Sequence, residues 1–315
     1  KRPRVTVVPG HSKDWGIFVL SAWRYYFNET VKGRFHLDWR ERKDIAWGPD
    51  LNYGDTPFGK GDIRTYYMHE RNIATKRIWR PGKKNFDRRT TERERFRIQW
   101  RHRWEVDEDT DLLLEYHRLS DPNIIKDYSY REYEKDSRPN SYLLGTHIIP
   151  NANISFLMQK RINRFQSEIE KLPEITFETT EHKIGSSPLY IKHKTTFSSL
   201  NEKEASPSEV DYNLTRLDVF NQFSLPSKVA FFEFKPFVSS RQTYFSRGLY
   251  EDESLSPRTV FSTGADLSTK FFRIFEINTD VWGLDINRLR HVITPRVKYT
   301  YVHDPTIPPL SLIHI

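Results

Sequence analysis

The feature that most constrains the fold is a strict alternation of residue types, which is clearest over residues 93–106. Its even positions are mainly aromatic or aliphatic: Phe96, Ile98, Trp100, His102, Trp104 and Val106. Its odd positions are polar: Arg95, Arg97, Gln99, Arg101, Arg103 and Glu105. Side chains alternate between the two faces of a β-strand, whereas on a helix the same face recurs about every 3.6 residues. The segment therefore predicts a strand with one apolar and one cationic face.

The same alternation recurs along the whole chain. Residues 15–27 place these side chains on one face: Trp15, Ile17, Val19, Ser21, Trp23, Tyr25 and Phe27. In residues 30–42, large apolar residues alternate with Lys32, Arg34, His36, Asp38 and Arg40. Further predicted strands are 45–53, 62–69, 110–117, 141–149, 152–162, 172–183, 189–197, 212–222, 229–239, 258–271, 274–282 and 290–302. The total is about fifteen strands.

This many two-faced strands suit a membrane barrel better than a soluble sheet. Aromatic residues make up 14% of the chain, and aromatic residues line both interfaces of outer-membrane barrels. Most of the segments are close in length to a transmembrane strand, which needs about 9–11 residues. A water-filled lumen accommodates the arginine-rich faces. The sequence therefore predicts an all-β fold, an antiparallel transmembrane β-barrel that is partial here and forms an open, curved sheet.

The predicted connections are of two kinds. Tight turns fall at 28–29, 107–109 and 150–151. Long polar connections fall at 71–91, 118–138, 199–210 and 246–257, and residues 126–137 within them predict a loop or a strand extension. Short turns at one end and long loops at the other are typical of barrels, although this strand count does not place every long loop at one end.

Trp15 and Trp23 are spaced as two aromatic girdles would be. Eight strand residues cover about 26 Å, or about 20 Å along the membrane normal when the strand is tilted. We therefore expect both rings on the lipid-facing side.

The two ends of the chain suggest a piece of a longer protein. The chain starts without a Met or an apolar signal segment, and residues 1–14 predict a linker from a missing periplasmic domain. Residues 15–309 predict the partial barrel. Residues 310–315 match the translation of a transposase adapter used in DNA library preparation, so we expect a non-native tail.

The formal net charge of +8 suggests an acidic partner, or a charge that the remainder of the protein balances. Nucleic acid is disfavoured, because stacking rings and phosphate-binding arginines should share a face, and in 93–106 they lie on opposite faces. The absence of cysteine excludes disulfides and thiolate metal sites from this chain.

Signatures of catalysis are missing. The chain has no G-x-S-x-G elbow, Walker A loop or G-x-G-x-x-G turn. His69 and Glu70 begin a zincin-like motif, but Ile73 occupies the position of the second histidine. We therefore predict no enzyme activity, no cofactor and no metal site.

Three segments resemble the family of the LPS-assembly protein LptD, also called the organic solvent tolerance protein. The first is the strand 289–302, in which Pro295 is followed by Tyr299 and Tyr301. The second joins Leu119-Ser120-Asp121-Pro122 to Lys126-Asp127-Tyr128, and the third is Leu172-Pro173-Glu174-Ile175, a proline-containing start to a mid-barrel strand. Their order and spacing match over residues 10–303.

The resemblance implies an outer-membrane translocon component that inserts lipopolysaccharide into the outer leaflet. It implies an LptE-like lipoprotein plug, an LptA-like periplasmic bridge that acts through the missing N-terminal domain, and contact with outer-membrane lipid. It also implies a lateral gate between the first and last strands, of which residues 15–27 would form one lip.

Two sets of site residues follow. The expected lumen-facing basic residues are Lys32, Arg34, Arg40, Arg95, Arg97, Arg101 and Arg103. The expected gate-strand residues are Trp15, Gly16, Ile17 and Trp23. Two alternatives stay open at this point, namely another large outer-membrane barrel (a porin-like channel or a nutrient receptor) and a soluble glycan-binding β-protein.

Overall fold

The computed structural model describes residues 3–77, 86–205, 212–246, 257–279, 283 and 286–306. The strands are β1 Val5–Ser12, β2 Gly16–Tyr26, β3 Val31–Arg40, β4 Asp44–Thr56, β5 Gly59–Arg77, β6 Phe86–Glu105, β7 Thr110–Leu119, β8 Tyr142–Ile149, β9 Ala152–Gln159, β10 Glu168–Thr179, β11 His182–Lys183, β12 Tyr190–Lys203, β13 Tyr212–Ser224, β14 Ser227–Val229, β15 Phe232–Phe245, β16 Arg258–Ser268, β17 Phe271–Thr279, β18 Ile286–Ile293 and β19 Arg296–Val302. The helices are α1 Ile124–Tyr128 and α2 Tyr130–Tyr133.

The predicted fold class is confirmed. Within the described residues, 17 strands belong to one antiparallel sheet that does not close into a barrel, and β17 and β18 form a separate two-stranded sheet. The chain divides into two compact units, of which the first holds residues 1–148, 155–174 and 199–213 and the second holds the remainder.

In the first unit, each strand from β1 to β8 pairs antiparallel with the next strand in sequence. In the second unit, β15 pairs with β13, β14 and β16, and β16 also pairs with β19. Short turns connect most of these strands, whereas a longer segment with both helices connects β7 to β8, and β17 and β18 lie between β16 and β19 in sequence.

Short polar side chains shape the predicted tight turns. The Asn28 Oδ1 atom accepts the backbone N–H groups of Thr30 at 3.0 Å and Val31 at 2.6 Å. The Asp107 Oδ1 atom accepts the N–H of Asp109 at 2.9 Å. Such side chains accept hydrogen bonds that a backbone carbonyl would otherwise accept, and this allows the chain to reverse within a few residues.

The start of the sheet differs from the prediction. Residues 5–12, which the sequence assigns to a linker, form β1, and Val5 to Ser12 pair with Trp23 to Gly16. Because β2 is paired with β1 on one side and β3 on the other, the expected strand edge at residues 15–27 is instead formed, within the described residues, by β1. Proline at position 9 conceals this strand in the sequence, since proline is common on strand edges as well as in linkers.

Two predicted long connections contain regular structure. Residues 71–77 and 86–91 extend β5 and β6 into a long hairpin. The connection 118–138 contains α1 and α2, where the sequence predicts a loop or a strand extension. These helices have 5 and 4 residues, which is too short for a helical period to be visible in the sequence.

The strand predicted at 290–302 is interrupted. It divides at Thr294 and Pro295 into β18, which pairs with β17, and β19, which pairs with β16. The carbonyl oxygen of Pro295 accepts the N–H of Thr269 at 3.2 Å, so both strands of this long hairpin are interrupted at the same level. The motif Leu172-Pro173 lies inside β10 rather than at its start.

Some predicted features lie outside the described residues. These are the tail 310–315, residues 78–85, 206–210 and 247–256 of three long connections, and the end of the strand predicted at 274–282. The division of the chain into a linker, a barrel and a tail stays a prediction.

The two faces of the first unit are chemically distinct. Exposed apolar side chains such as Leu37, Trp39 and Trp47 occupy the outward face of β3 and β4. The opposite face carries charged residues, and residues 120–140 of the same unit contact it through Asp121, Tyr128 and Glu132. We call residues 120–140 the inward segment.

Candidate functional site

The charged face is built by register. Each pairing in the first unit places residues of one face side by side, so Arg34 lies opposite Asp50 and Asp62 lies opposite Arg101. The corresponding ion pairs measure 2.7 Å and 2.9 Å. Arg103 contacts Asp111 at 3.2 Å on the neighbouring strand. Most of the cationic side chains that the sequence predicts on this face are therefore held by a carboxylate one strand away.

Arg95 is the centre of the most buried group of charges. Its side chain is 2% exposed and forms ion pairs with Glu70 at 2.7 Å, Asp121 at 2.8 Å and Asp127 at 2.8 Å. The contact with Asp121 is bidentate, since Nε and Nη2 donate to different carboxylate oxygens. Lys43 adds a second cation through its ion pair with Glu70 at 2.5 Å. Two cations against three carboxylates leave one net negative charge.

This group fastens the inward segment to the sheet. Asp121 and Asp127 belong to the segment, whereas Arg95 and Glu70 belong to β6 and β5. Asp121 also accepts the N–H of Asn123 at 3.0 Å, at the start of α1. Ion pairs buried from water require such complete pairing, because an unpaired charge there is strongly unfavourable.

A second set of contacts holds α2. Glu132 forms an ion pair with Arg64 at 3.0 Å and another with Arg97, and Ser129 Oγ accepts a hydrogen bond from Arg97 at 3.0 Å. Beside these contacts, Ile124 and Ile125 bury their side chains against Leu119. The segment is therefore held by charge pairing together with a small apolar core.

Arg40 lies in an aromatic cage. Its guanidinium carbon is 4.5 Å from the ring centre of Trp15, 5.0 Å from that of Tyr128 and 5.9 Å from that of Tyr66. Trp15 and Tyr128 are themselves stacked at 6.0 Å. Only Asp38, at 3.3 Å, pairs with the charge, and the Nε and Nη1 atoms have no hydrogen-bond partner among the described residues. The attraction of the cation to the ring faces stabilises this arrangement.

The contacts of Trp15 correct the girdle prediction. Its ring lies with Arg40 and Tyr128 on the charged face, whereas Trp23 is exposed on the outward face. Gly16, with φ of +71°, starts β2 just after Trp15, and this left-handed conformation places Trp15 outside the alternation of the strand.

Titration of the inward segment follows from the same contacts. Burial by itself raises the pKa of Asp121, but hydrogen bonds from Arg95 and Ser120 outweigh it and hold this pKa below its usual value. Burial raises the pKa of the Tyr128 hydroxyl far above its usual range, with the charge of Glu70 acting in the same direction. Asp121 is therefore charged and Tyr128 neutral at physiological pH.

The structure brings the predicted basic residues onto one face but divides them by exposure. Arg40, Arg95 and Arg97 are buried beneath the inward segment. The remaining residues on this face are more accessible: Lys32, Arg34, Arg101 and Arg103. Sequence alternation finds the face but cannot distinguish these two groups, because the covering segment comes from elsewhere in the chain.

Several residues of the site could not be predicted from the alternation of residue types. Asp38 is an acidic member of a predicted strand and Glu70 directly follows another, and their partners could not be inferred without the register. Asp121, Asp127 and Tyr128 stand in one of the three family-like segments, so that resemblance was the signal that could have found them. The other family-motif residues lie apart, since Pro295 precedes β19, and Tyr299 and Tyr301 are exposed on β19.

The second unit repeats the pairing of charges across strands. Arg241 on β15 contacts Asp218 on β13 at 2.9 Å, and Arg296 on β19 pairs with Asp266 on β16. Exposed apolar residues such as Val238 on β15 and Phe261 on β16 lie on the same strands, an odd number of positions from the paired charges and hence on the other face. The two-faced design therefore holds in each unit.

The described residues contain no group of three or more His, Cys, Asp or Glu side chains that could hold a metal ion. No helix among them combines the length and the apolar character needed to span a membrane.

Comparison with known proteins decides the family. A family model described as LptD, LPS transport system D, matches residues 93–307, which is well over half of the chain. The chain belongs to the LptD family. No curated protein matches it significantly. The matched range begins on β6 just before Arg95 and includes the inward segment and β19, so the LptD match covers much of the charged group described above.

Proposed function

We propose that this chain is part of an outer-membrane component that inserts lipopolysaccharide into the outer leaflet. The observation that carries the proposal is the opposition of the two faces in a member of an LPS transport family. Lipopolysaccharide combines acyl chains with a phosphorylated glycan. A sheet with an apolar, aromatic outer face and a charged inner face separates lipid from such a hydrophilic group.

The accessible basic residues are the best candidates for contact with substrate. Arg34, Arg101 and Arg103 are between 41% and 48% exposed, so an anionic glycan can reach them. Arg40, Arg95 and Arg97 are assigned a different role, since they hold the inward segment against the sheet. We therefore divide the predicted basic set into substrate-facing and supporting residues.

The proposed lateral gate is formed by β1 with support from β2. Trp15, Gly16, Ile17 and Trp23 lie on or beside β2, whose residues 16–23 pair along the whole of β1. These four residues would hold the gate strand rather than form its free edge. An LptE-like plug and an LptA-like bridge are the expected protein partners, and the barrel itself would carry out no covalent chemistry.

The experiment that tests this function is depletion of the full-length protein in the bacterium that encodes it. Lipopolysaccharide exposed at the cell surface is then measured with a non-penetrating label, and total lipopolysaccharide is measured in the same cells. We expect the surface fraction to fall while the total is maintained. An unchanged surface fraction, with uptake of small solutes lost instead, would show a channel or nutrient receptor.

A further inference from the structure

A row of like charges crosses the first three strands. The backbone N–H of Arg24 on β2 donates to the carbonyl oxygen of Arg4 at 2.7 Å, and Arg24 lies directly opposite Arg34 on β3. Lys32 lies two positions before Arg34 on the same strand. Like charges directly opposite each other in an antiparallel pair are destabilising. We call Arg4, Arg24, Lys32 and Arg34 the cationic cluster.

The nearby carboxylates are already engaged. Asp50 pairs with Arg34 at 2.7 Å and with His36 at 2.9 Å. Asp62 pairs with Arg64 at 3.0 Å and with Arg101 at 2.9 Å. Neither of these acids is free to balance the remaining cations of the cluster.

Arg24 donates only to neutral acceptors. Its Nη1 atom hydrogen-bonds the carbonyl oxygen of Pro3 and the hydroxyl of Thr6, both at 2.8 Å. Over the described part of the chain, no carboxylate forms an ion pair with Arg4, Arg24 or Lys32. This differs from Arg95, Arg101 and Arg103, each of which has a carboxylate partner.

Three members of the cluster, Arg24, Lys32 and Arg34, line a cavity of about 330 Å³. Four cations and two carboxylates line it, which leaves two net positive charges: Arg24, Lys32, Arg34, Arg64, Asp50 and Asp62. Cavities of about 300–1,000 Å³ are typical of small-ligand sites. A charged wall with unmatched guanidinium groups favours a compact anion of high charge, and arginine binds phosphate oxygens through two parallel hydrogen bonds.

The cavity lies at a defined end of the sheet. Lys32 comes directly after the β2–β3 turn, and the short β4–β5 and β6–β7 turns lie at the same end because the strands alternate in direction. The inward segment begins at the opposite end, after β7. In outer-membrane barrels the short turns face the periplasm.

We propose that the cationic cluster binds a phosphate group of a phosphorylated glycolipid at the periplasmic end of the edge strand β1. This inference rests on the proposed function. It specifies which group of the substrate is bound and where on the sheet it binds. The unmatched charges of Arg24 and Lys32 supply the attraction, and Arg34 supplies a third cation beside its own carboxylate.

The test uses the full-length protein with its partners, purified from the outer membrane in detergent. Binding of fluorescent lipopolysaccharide is measured for the unsubstituted protein, for Arg24→Gln/Lys32→Gln and for a control, Lys13→Gln/Lys60→Gln, which also removes two positive charges. A fourth protein, Arg24→Lys/Lys32→Arg, keeps the charges. Each protein is also titrated with enzymatically dephosphorylated lipopolysaccharide and with inorganic phosphate as a competitor.

We expect Arg24→Gln/Lys32→Gln to weaken binding of the phosphorylated form by about tenfold or more, and binding of the dephosphorylated form hardly at all. The control and the charge-keeping variant should bind as the unsubstituted protein does.

Equal binding by the glutamine variant and the control would overturn the phosphate site, as would loss of a protein partner without loss of lipopolysaccharide binding. If inorganic phosphate displaces fluorescent lipopolysaccharide as effectively as unlabelled lipopolysaccharide does, the cluster binds free anions and the glycolipid proposal is overturned. Failure of the unsubstituted protein to bind lipopolysaccharide would contradict the proposed function itself.

Discussion

Arg95 joins more of the charged face than any other residue described above. It receives Glu70 from the neighbouring strand and Asp121 and Asp127 from the inward segment, and all three contacts are 2.7–2.8 Å long. A cation in this position offsets the mutual repulsion of three carboxylates and so attaches the inward segment to the sheet. The attachment depends on complete pairing, because removal of one partner of a buried ion pair leaves uncompensated charge.

Substitution Arg95→Met tests this attachment. We expect a loss of about 3–5 kcal/mol in the free energy of unfolding, since Asp121 stays buried without a cation and Glu70 keeps only Lys43. Denaturant unfolding in detergent gives the free energy, and hydrogen exchange should show faster exchange over residues 121–133. Arg103→Met is the matched control, because its ion pair is about half exposed and should contribute less than about 1 kcal/mol. Equal losses for the two variants would contradict a special role for Arg95.

The lowered pKa of Asp121 predicts a dependence on acidity. A carboxyl group whose pKa falls on folding stabilises the folded state above its usual pKa, here 3.8, and this contribution disappears as the pH falls through the lower folded-state value. Hydrogen exchange of residues 121–133, corrected for the intrinsic rate, should therefore be constant near neutral pH and accelerate below about pH 4. Asp121→Asn should show a weaker acceleration, and an identical pH profile in this variant would exclude Asp121 as its source.

Among the elements, the inward segment and the first hairpin are connected by aromatic rings. Tyr128 at the end of α1 stacks on Trp15 in the β1–β2 turn, and Arg40 of β3 lies against both rings. The helices are too short to be stable alone, so these contacts and the ion pairs hold them in place. Close approach of strands matters in the same region, because Gly48 lies against the backbone of Thr65.

The aromatic contact predicts coupling between two distant parts of the chain. Tyr128→Ala should accelerate hydrogen exchange in the β1–β2 turn as well as in α1, because Trp15 and Arg40 lose a shared partner. A double-mutant cycle with Trp15→Ala should give a coupling energy of about 0.5–2 kcal/mol. Additive effects of the two substitutions would show that the stacking contributes nothing.

Gly48 and Gly54 provide a matched pair within β4. A side chain at Gly48 would collide with the backbone of Thr65, whereas at Gly54 nothing lies within 4 Å of an added Cβ. We expect Gly48→Val to separate β4 from β5 and to prevent the heat-resistant folded band on semi-native gels. Gly54→Val should retain that band, and comparable damage in both variants would contradict the strand contact.

For the molecule as a whole, the opposition of faces is the property that suits it to a membrane. Leu37 is 47% exposed on the outward face of β3, while Asp38 beside it is 6% exposed on the charged face. A single position along the strand therefore separates an exposed apolar side chain from a buried, paired one. This separation also explains why aromatic residues are abundant in a chain with 29% charged residues.

Leu37→Arg tests the assignment of the outward face. An arginine on the lipid face near the bilayer centre destabilises a barrel by about 2–4 kcal/mol. Folding of the full-length protein into vesicles, followed by denaturant titration, measures this loss. Thr146→Arg is the control, since Thr146 lies on the other face opposite Asp111, where a neighbouring arginine is already accommodated by that carboxylate. Tolerance of arginine at Leu37 would contradict contact with lipid.

The alternation of residues was sufficient for most of the strands and their two faces, although it missed β1, because alternation depends on neighbours in sequence. Resemblance to the family added the segment that contains Asp121 and Tyr128. The register, the edge formed by β1, the interruption at Pro295 and the burial of Arg40, Arg95 and Arg97 were decided only by the tertiary structure. Each of these depends on groups brought together from distant positions, as when Arg95 meets Glu70 and Asp121. A periodic pattern states which face a side chain occupies, whereas burial and pairing depend on which other segment covers that face.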